Sequence, residues 1–402
     1  MNGFAQDRKL AGLLLIGLGL LVFVGFGTFV MQLSGEHPEK AWQTFYLNFL
    51  LWSAVAQGGF LFSVVMHLTR ARWCRPLQSL AESFAAFFPI SLLMFLLLFL
   101  GRHYLFPWLH HLNHGKAAWL NLPFLFSRDL LALVCLYGLG LAYLYYALRS
   151  RLDPLNTRGR LRAFVLRDHT GSAAEIEAQQ KKLTVLSLFY VLAYALALTL
   201  LAFDLVMGLE PPWFSTLFGG YAFTKAFYLG LAALMIVSAI CYLARGSKSG
   251  LTPAQFHDLG KLLFAFCLVW ADFFYVQLIV IWYANVSEEA FYIIQRLMNA
   301  PWRSLAWTVF TVCFVLPFFI LLNRRVKTRP IAMLILSLLI IAGLWLEHLL
   351  LLGPAWNPSL SRLPLSPADG LITLGFIGLM GLAITFFLEV FPELTAEKAR
   401  EA

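Results

Sequence analysis

The residues best equipped for chemistry are ionisable side chains set inside long apolar runs: Arg128, Asp129, Asp204, Lys225, Asp272, Glu347 and His348. A charged group in hydrocarbon is costly, so each one needs a partner or a task. The task open to them is proton transfer, because protons cross an apolar layer by hopping between titratable groups and water. Lys225, Asp272, Tyr275, Glu347 and His348 make one set suited to such a route. Asp272 lies nearest the middle of its run, Tyr275 about one turn farther along, and Glu347 and His348 nearer a surface. Lys225 has Tyr221 and Tyr228 at helical-neighbour spacings. An ion pair between Lys225 and Asp272 would offset the burial of both, and a purely structural pair between helices fits the same pattern. Arg128 and Asp129 also suit a helix end, with Arg128 reaching the interface. Asp204, less than two turns from the end of its run, fits a satisfied interfacial carboxylate equally well. At matching depth on the other side of the layer the sequence offers mainly Ser, Thr and Tyr hydroxyls.

Other chemistries lack their residues. Cys74, Cys135, Cys241, Cys267 and Cys313 are scattered without CxxC or finger-like spacing, so clusters, zinc and disulfide frameworks are unsupported. His67 lies at the inner end of the second run and His348 at the outer end of the ninth, which leaves no bis-histidine haem pair. His103, His110, His111 and His114 share one loop, where solvated histidines are the simpler reading than a metal site. No GxGxxG, P-loop or nucleophile elbow occurs. Gly58-Gly59 and Gly219-Gly220 read as close-packing sites between helices.

The elements that must position these groups are membrane helices. Hydrophobic residues make up 60% of the 402 and charged residues 13%, against roughly 25% charged in soluble domains. The mean hydropathy is +0.75. Runs long enough to span hydrocarbon, about 20 residues, lie at 10–33, 41–68, 80–101, 121–148, 183–209, 217–244, 259–284, 304–323, 330–352 and 367–391. They are continuous and lack barrel alternation, so the expected class is an all-α, polytopic membrane protein of about ten helices in a single membrane domain. The first run is too long for a signal peptide and reads as a retained helix. The net charge of +9 sits in short connections between runs, which points to membrane orientation and away from nucleic acid. Of the 30 Lys and Arg residues, 22 fall on the side of the N-terminus, which places both termini in the cytoplasm. The largest segment on that side, 149–182, holds Asp168-His169 and the stretch AAEIEAQQKK, expected as a short surface helix. Trp42, Trp108, Trp213, Trp302 and Trp356 suit an aromatic belt on the opposite face.

Two stretches resemble a known family. Asp204-Leu-Val-Met-Gly-Leu-Glu210-Pro-Pro-Trp213-Phe-Ser-Thr216, followed by Phe218-Gly219-Gly220-Tyr221, is similar to the signature D-x-x-M-S-L-E-P-x-W-x-S-T-x-F-G-x-Y of NrfD-like (polysulfide reductase membrane subunit) proteins in alternative complex III. Asp272-Phe-Phe-Tyr-Val-Gln277 through Asn285-Val-Ser-Glu-Glu289 resembles the family's F-x-Q-x-x-L-I-W-Y-A-N-x-P-E-E segment, and Pro317 to Arg324 its following helix end. Gly208 replaces the family's Ser and Pro212 a usual His. The resemblance implies an integral membrane subunit of a quinol-oxidising respiratory complex in the bacterial inner membrane. Such complexes have two large ten-helix membrane subunits, and the modest length and short termini here look more like the smaller of them. It implies two four-helix bundles, 41–209 and 217–352, flanked by helices 10–33 and 367–391. It also implies a homologous ten-helix membrane subunit, periplasmic iron–sulfur and multihaem cytochrome c subunits, lipid and the quinone pool as partners. The family carries no redox centre in this subunit; quinol or menaquinol is the implied substrate. Arg128, Asp129 and Asp204, with Gln57 deeper, then form a candidate quinone site, since a quinol needs an acceptor at each hydroxyl and a base for its proton. A proton-coupled secondary transporter and a purely structural anchor of a redox complex are the rival readings; unwound Gly/Pro breaks in mid-helix would favour the transporter.

Overall fold

Backbone amides in lipid must bond within their own segment, and that constraint makes helix of nearly every apolar run. The computed structural model describes residues 2–110, 116–152, 159–167, 169–357, 360 and 362–395. Among them no strand occurs, and ten helices are long and apolar enough to cross a membrane. They are α1 (Gly12–Leu33), α2 (Pro38–Leu68), α3 (Arg75–Leu98), α4 (Leu122–Arg149) and α5 (Ala173–Leu209). α6 (Leu217–Arg245), α7 (Pro253–Ala284), α8 (Trp302–Leu322), α9 (Pro330–Trp356) and α10 (Pro367–Val390) follow. His111, His114 and Asp168 lie outside the described residues.

Local signals set the helix ends. Proline stands in the first turn of α2, α3, α4, α7, α9 and α10, where its missing N–H would be unpaired anyway. Thr252 with Gln255 and Ser366 with Asp369 close capping boxes on α7 and α10. Asn285 ends α7 in the left-handed conformation, φ +47°, which gives the Asn of the Tyr-Ala-Asn run a physical role. The stretch AAEIEAQQKK is not a separate surface helix. Ser172 Oγ accepts from Glu175 N at 3.3 Å and caps a continuous α-helix from Ala173 to Leu205. Glu175 also takes Arg149 Nη2 and His169 Nδ1, both at 2.8 Å, and no Gly or Pro follows before Leu183 to stop the helix.

α2–α5 form one group of four and α6–α9 a second, while α1 packs mainly on α10 at the edge of the first. The groups join through α2 and α6, the two most buried helices, which open their respective groups. A Cβ on Gly58 would lie 1.8 Å from Ala226 O, and one on Gly230 2.0 Å from Gly58 C. The two helices therefore touch backbone to backbone. Gly25 and Gly375 make the same kind of approach between α1 and α10.

Pro317 shapes α8. Its missing N–H leaves the carbonyl of Cys313 without the usual partner four residues on, and the helix widens into a π turn over Thr311–Val315. The freed carbonyl accepts from Tyr228 Oη at 3.0 Å and from Cys267 Sγ at 3.5 Å, tying α6 and α7 to α8.

The expected tryptophan belt is not formed. Trp42, Trp108, Trp213 and Trp302 are buried, and Trp356 is half-buried with its Nε1 donating to Leu105 O at 2.9 Å. The rings fill space over small residues, Trp42 against Gly101 and Trp302 against Gly353. The exposed tryptophans are Trp119, Trp282 and Trp307.

Candidate functional site

The basic connections (70–75, 149–182, 245–248 and 324–329) mark one side of the molecule as its basic face. Three polar clusters lie at successive depths between it and the opposite face.

The central cluster sits where the two groups meet. Lys225 Nζ on α6 lies 3.4 Å from Glu347 Oε2 on α9, with both side chains enclosed. Neither carboxylate oxygen of Glu347 has a hydrogen-bond partner. The Lys225 ammonium stands 5.2 Å from the centroid of the Tyr221 ring. Next to Glu347, His348 Nδ1 donates to Leu344 O at 2.8 Å, which leaves its Nε2 as an acceptor. Lys225 and His348 line a cavity of about 60 Å³ with Ser53, Gln57, Leu201 and Ala222. That volume takes a few waters, since one needs only about 15 Å³ by this measure.

From the cavity a hydroxyl chain runs into the first bundle. Gln57 Nε2 donates to Tyr137 Oη at 3.0 Å, Tyr137 Oη meets Ser91 Oγ at 2.7 Å, and Ser91 Oγ meets Ser53 Oγ at 2.6 Å. Ser53 lines the cavity again, so the chain closes a ring upon it. Gln57 Oε1 has no partner.

Toward the basic face the core holds Glu82, a fully buried carboxylate on α3. Ser63 Oγ donates to its Oε1 at 2.9 Å, and Arg151 Nη2 closes on the same oxygen. Arg151 Nη1 also reaches Ser79 Oγ at 3.2 Å, and Tyr143 Oη donates to Ser63 O at 3.3 Å. The expectation of hydroxyls without a carboxylate on this side is corrected by Glu82. It stands two residues inside the run 80–101, where it resembles a helix-end residue. The helix starts at Arg75 instead, which carries Glu82 two turns in, and the α2 partner Ser63 is invisible in the run itself.

Toward the opposite face Arg128 holds Asp204 through Nε at 2.5 Å and Nη2 at 2.6 Å. Trp119 Nε1 donates to Asp204 Oδ1 at 2.9 Å, and the guanidinium lies 3.9 Å from the Trp119 ring centroid. Asp129 is fully buried, with neither oxygen hydrogen-bonded. Arg128 and Asp204 do meet, and the rings of Trp119 and Phe124 stand against the guanidinium. Gln57 belongs to the central cavity and not to this cluster. The same stretch supplies Glu210, which binds Arg296 Nη2 at 2.6 Å, and Trp213, which stacks on Tyr292 at 3.7 Å. Arg296 also donates to Leu351 O at 2.7 Å, so this bracket fixes the connection to α9.

Asp272 and Tyr275 stand elsewhere. Lys225 pairs with Glu347 and not with Asp272, because α7 turns Leu263, Cys267, Trp270 and Ala271 inward. Asp272, one residue on and about 100° around the helix, is exposed, as is Tyr275. Among the described residues no group of three or more His, Cys, Asp or Glu is placed to hold a metal ion. No family model and no curated protein matches the chain.

Proposed function

We propose that this chain is a membrane subunit of a quinol-oxidising electron-transfer complex and that its own share of the work is to carry protons. The observation that supports this most is the Lys225–Glu347 pair, enclosed, without other hydrogen bonds, and beside a cavity that takes waters. Either group can give or take a proton while the other balances the charge. The Ser53–Ser91–Tyr137–Gln57 ring supplies hydroxyls toward the first bundle, and Glu82 under Arg151 offers a carboxylate toward the basic face. The redox half of the reading rests on the two family-like stretches. Periplasmic iron–sulfur and haem subunits and a homologous membrane subunit would then hold the electron path. The lysine and arginine bias supports termini in the cytoplasm, and the family-like stretches support insertion in a bacterial inner membrane.

The proposal assigns quinol contact to other subunits. Arg128 and Trp119 already occupy the oxygens of Asp204, the acceptors a quinol hydroxyl would need there. The interruption in α8 remains helical as a π turn, which gives the transporter reading no unwound segment to use.

The test is the purified complex in vesicles, scored for protons moved per electron. Glu347→Gln and Lys225→Met are expected to lower that ratio while electron transfer continues. An unchanged ratio in both, with normal assembly, would refute proton carriage by this pair.

A further inference from the structure

α7 is, after α1, the least buried of the ten helices, and one stripe of it is exposed over its second half and beyond, from residue 265 to 282. Ala265, Leu268, Asp272, Tyr275 and Trp282 follow one another at helical spacings on that stripe, with Tyr275 58% and Trp282 75% exposed. Asp272 is 12 residues from Ala284, about 18 Å at 1.5 Å per residue, which places it deep in the hydrocarbon. No hydrogen bond or ion pair reaches it from the described residues. A carboxylate facing lipid at that depth is costly, and such groups in spanning helices pair with a cation or donor.

We infer that this stripe is a membrane-embedded interface and that its occupant is a spanning helix of a different polypeptide carrying Lys or Arg at the depth of Asp272. A second copy of this chain does not fit. A symmetric contact through α7 would bring Asp272 against Asp272 at the same depth. Lys225 is the cation this chain holds deep in a span among the described residues, and it is enclosed against Glu347. Exposed cations such as Lys261 and Arg303 lie toward helix ends. The inference does not rest on quinol chemistry and holds for any complex that includes this chain.

The experiment uses the full chain in its native membrane, with p-benzoylphenylalanine placed at Tyr275 and, as a lipid-facing control, at Leu196 on α5. Light is expected to join Tyr275 to a spanning peptide of another polypeptide that contains Lys or Arg, with at least tenfold less adduct at Leu196. Asp272→Leu should cut the Tyr275 adduct tenfold without lowering the chain's own yield, since Asp272 makes no internal bond. An adduct of twice the chain's mass, an adduct to lipid alone, or one unaffected by Asp272→Leu would each overturn the inference.

Discussion

Lys225 and Glu347, on helices α6 and α9, face each other at 3.4 Å, and neither has a hydrogen bond to another described residue. Removing one member leaves the other buried and unpaired, which typically costs about 3–5 kcal/mol, whereas removing both relieves that cost. Lys225→Met and Glu347→Gln should each lower the thermal midpoint in detergent, and the double variant should recover most of the loss. Additive losses would show that the two charges are not coupled.

Gly58 tests the union of the bundles. With Ala226 O 1.8 Å from the place of a new Cβ, Gly58→Ala should force α2 and α6 apart and cost about 1–3 kcal/mol or more. Gly138→Ala, where nothing lies within 4 Å, is the matched control and should be neutral or slightly stabilising. Monodisperse yield and thermal midpoint of the two variants make the comparison.

Arg128 grips Asp204 with two nitrogens and stacks on Trp119, a geometry that lysine does not reproduce. Arg128→Lys is expected to cost about 1–2 kcal/mol of stability while leaving the KM for quinol of the proposed complex within twofold. A tenfold rise in KM with unchanged stability would make this cluster a quinol contact after all.

Cys74, in the connection between α2 and α3, carries the pH dependence. Burial pushes its thiol up from the ordinary 9.0 to about 11. Its contribution to stability is therefore level below pH 9 and is lost as pH rises through about 11, because the unfolded chain releases the proton first. Cys74→Ala should flatten that alkaline slope. In the folded chain at pH 8, maleimide should label Cys74 far more slowly than after unfolding.

The ten spans were legible because length and hydropathy are properties of a single segment. Rotation about a helix axis was not, and Asp272 shows why. One residue separates it from the enclosed Ala271, so an uncertain register exchanges core for lipid. Partner choice across helices is equally hidden, since the lysine that suited Asp272 by depth meets Glu347, 122 positions away. Glu82 was missed because its helix begins a turn earlier than the apolar run does.

The Gly58–Gly230 approach bears on how the molecule moves. No layer of side chains separates α2 from α6 there, so the seam has nothing compliant to shear or ratchet. The two halves share an axle, and any swing of one against the other must roll about it. Large alternating rotations would strip main chain from main chain. A chain welded at its middle turns as one piece where α2 meets α6.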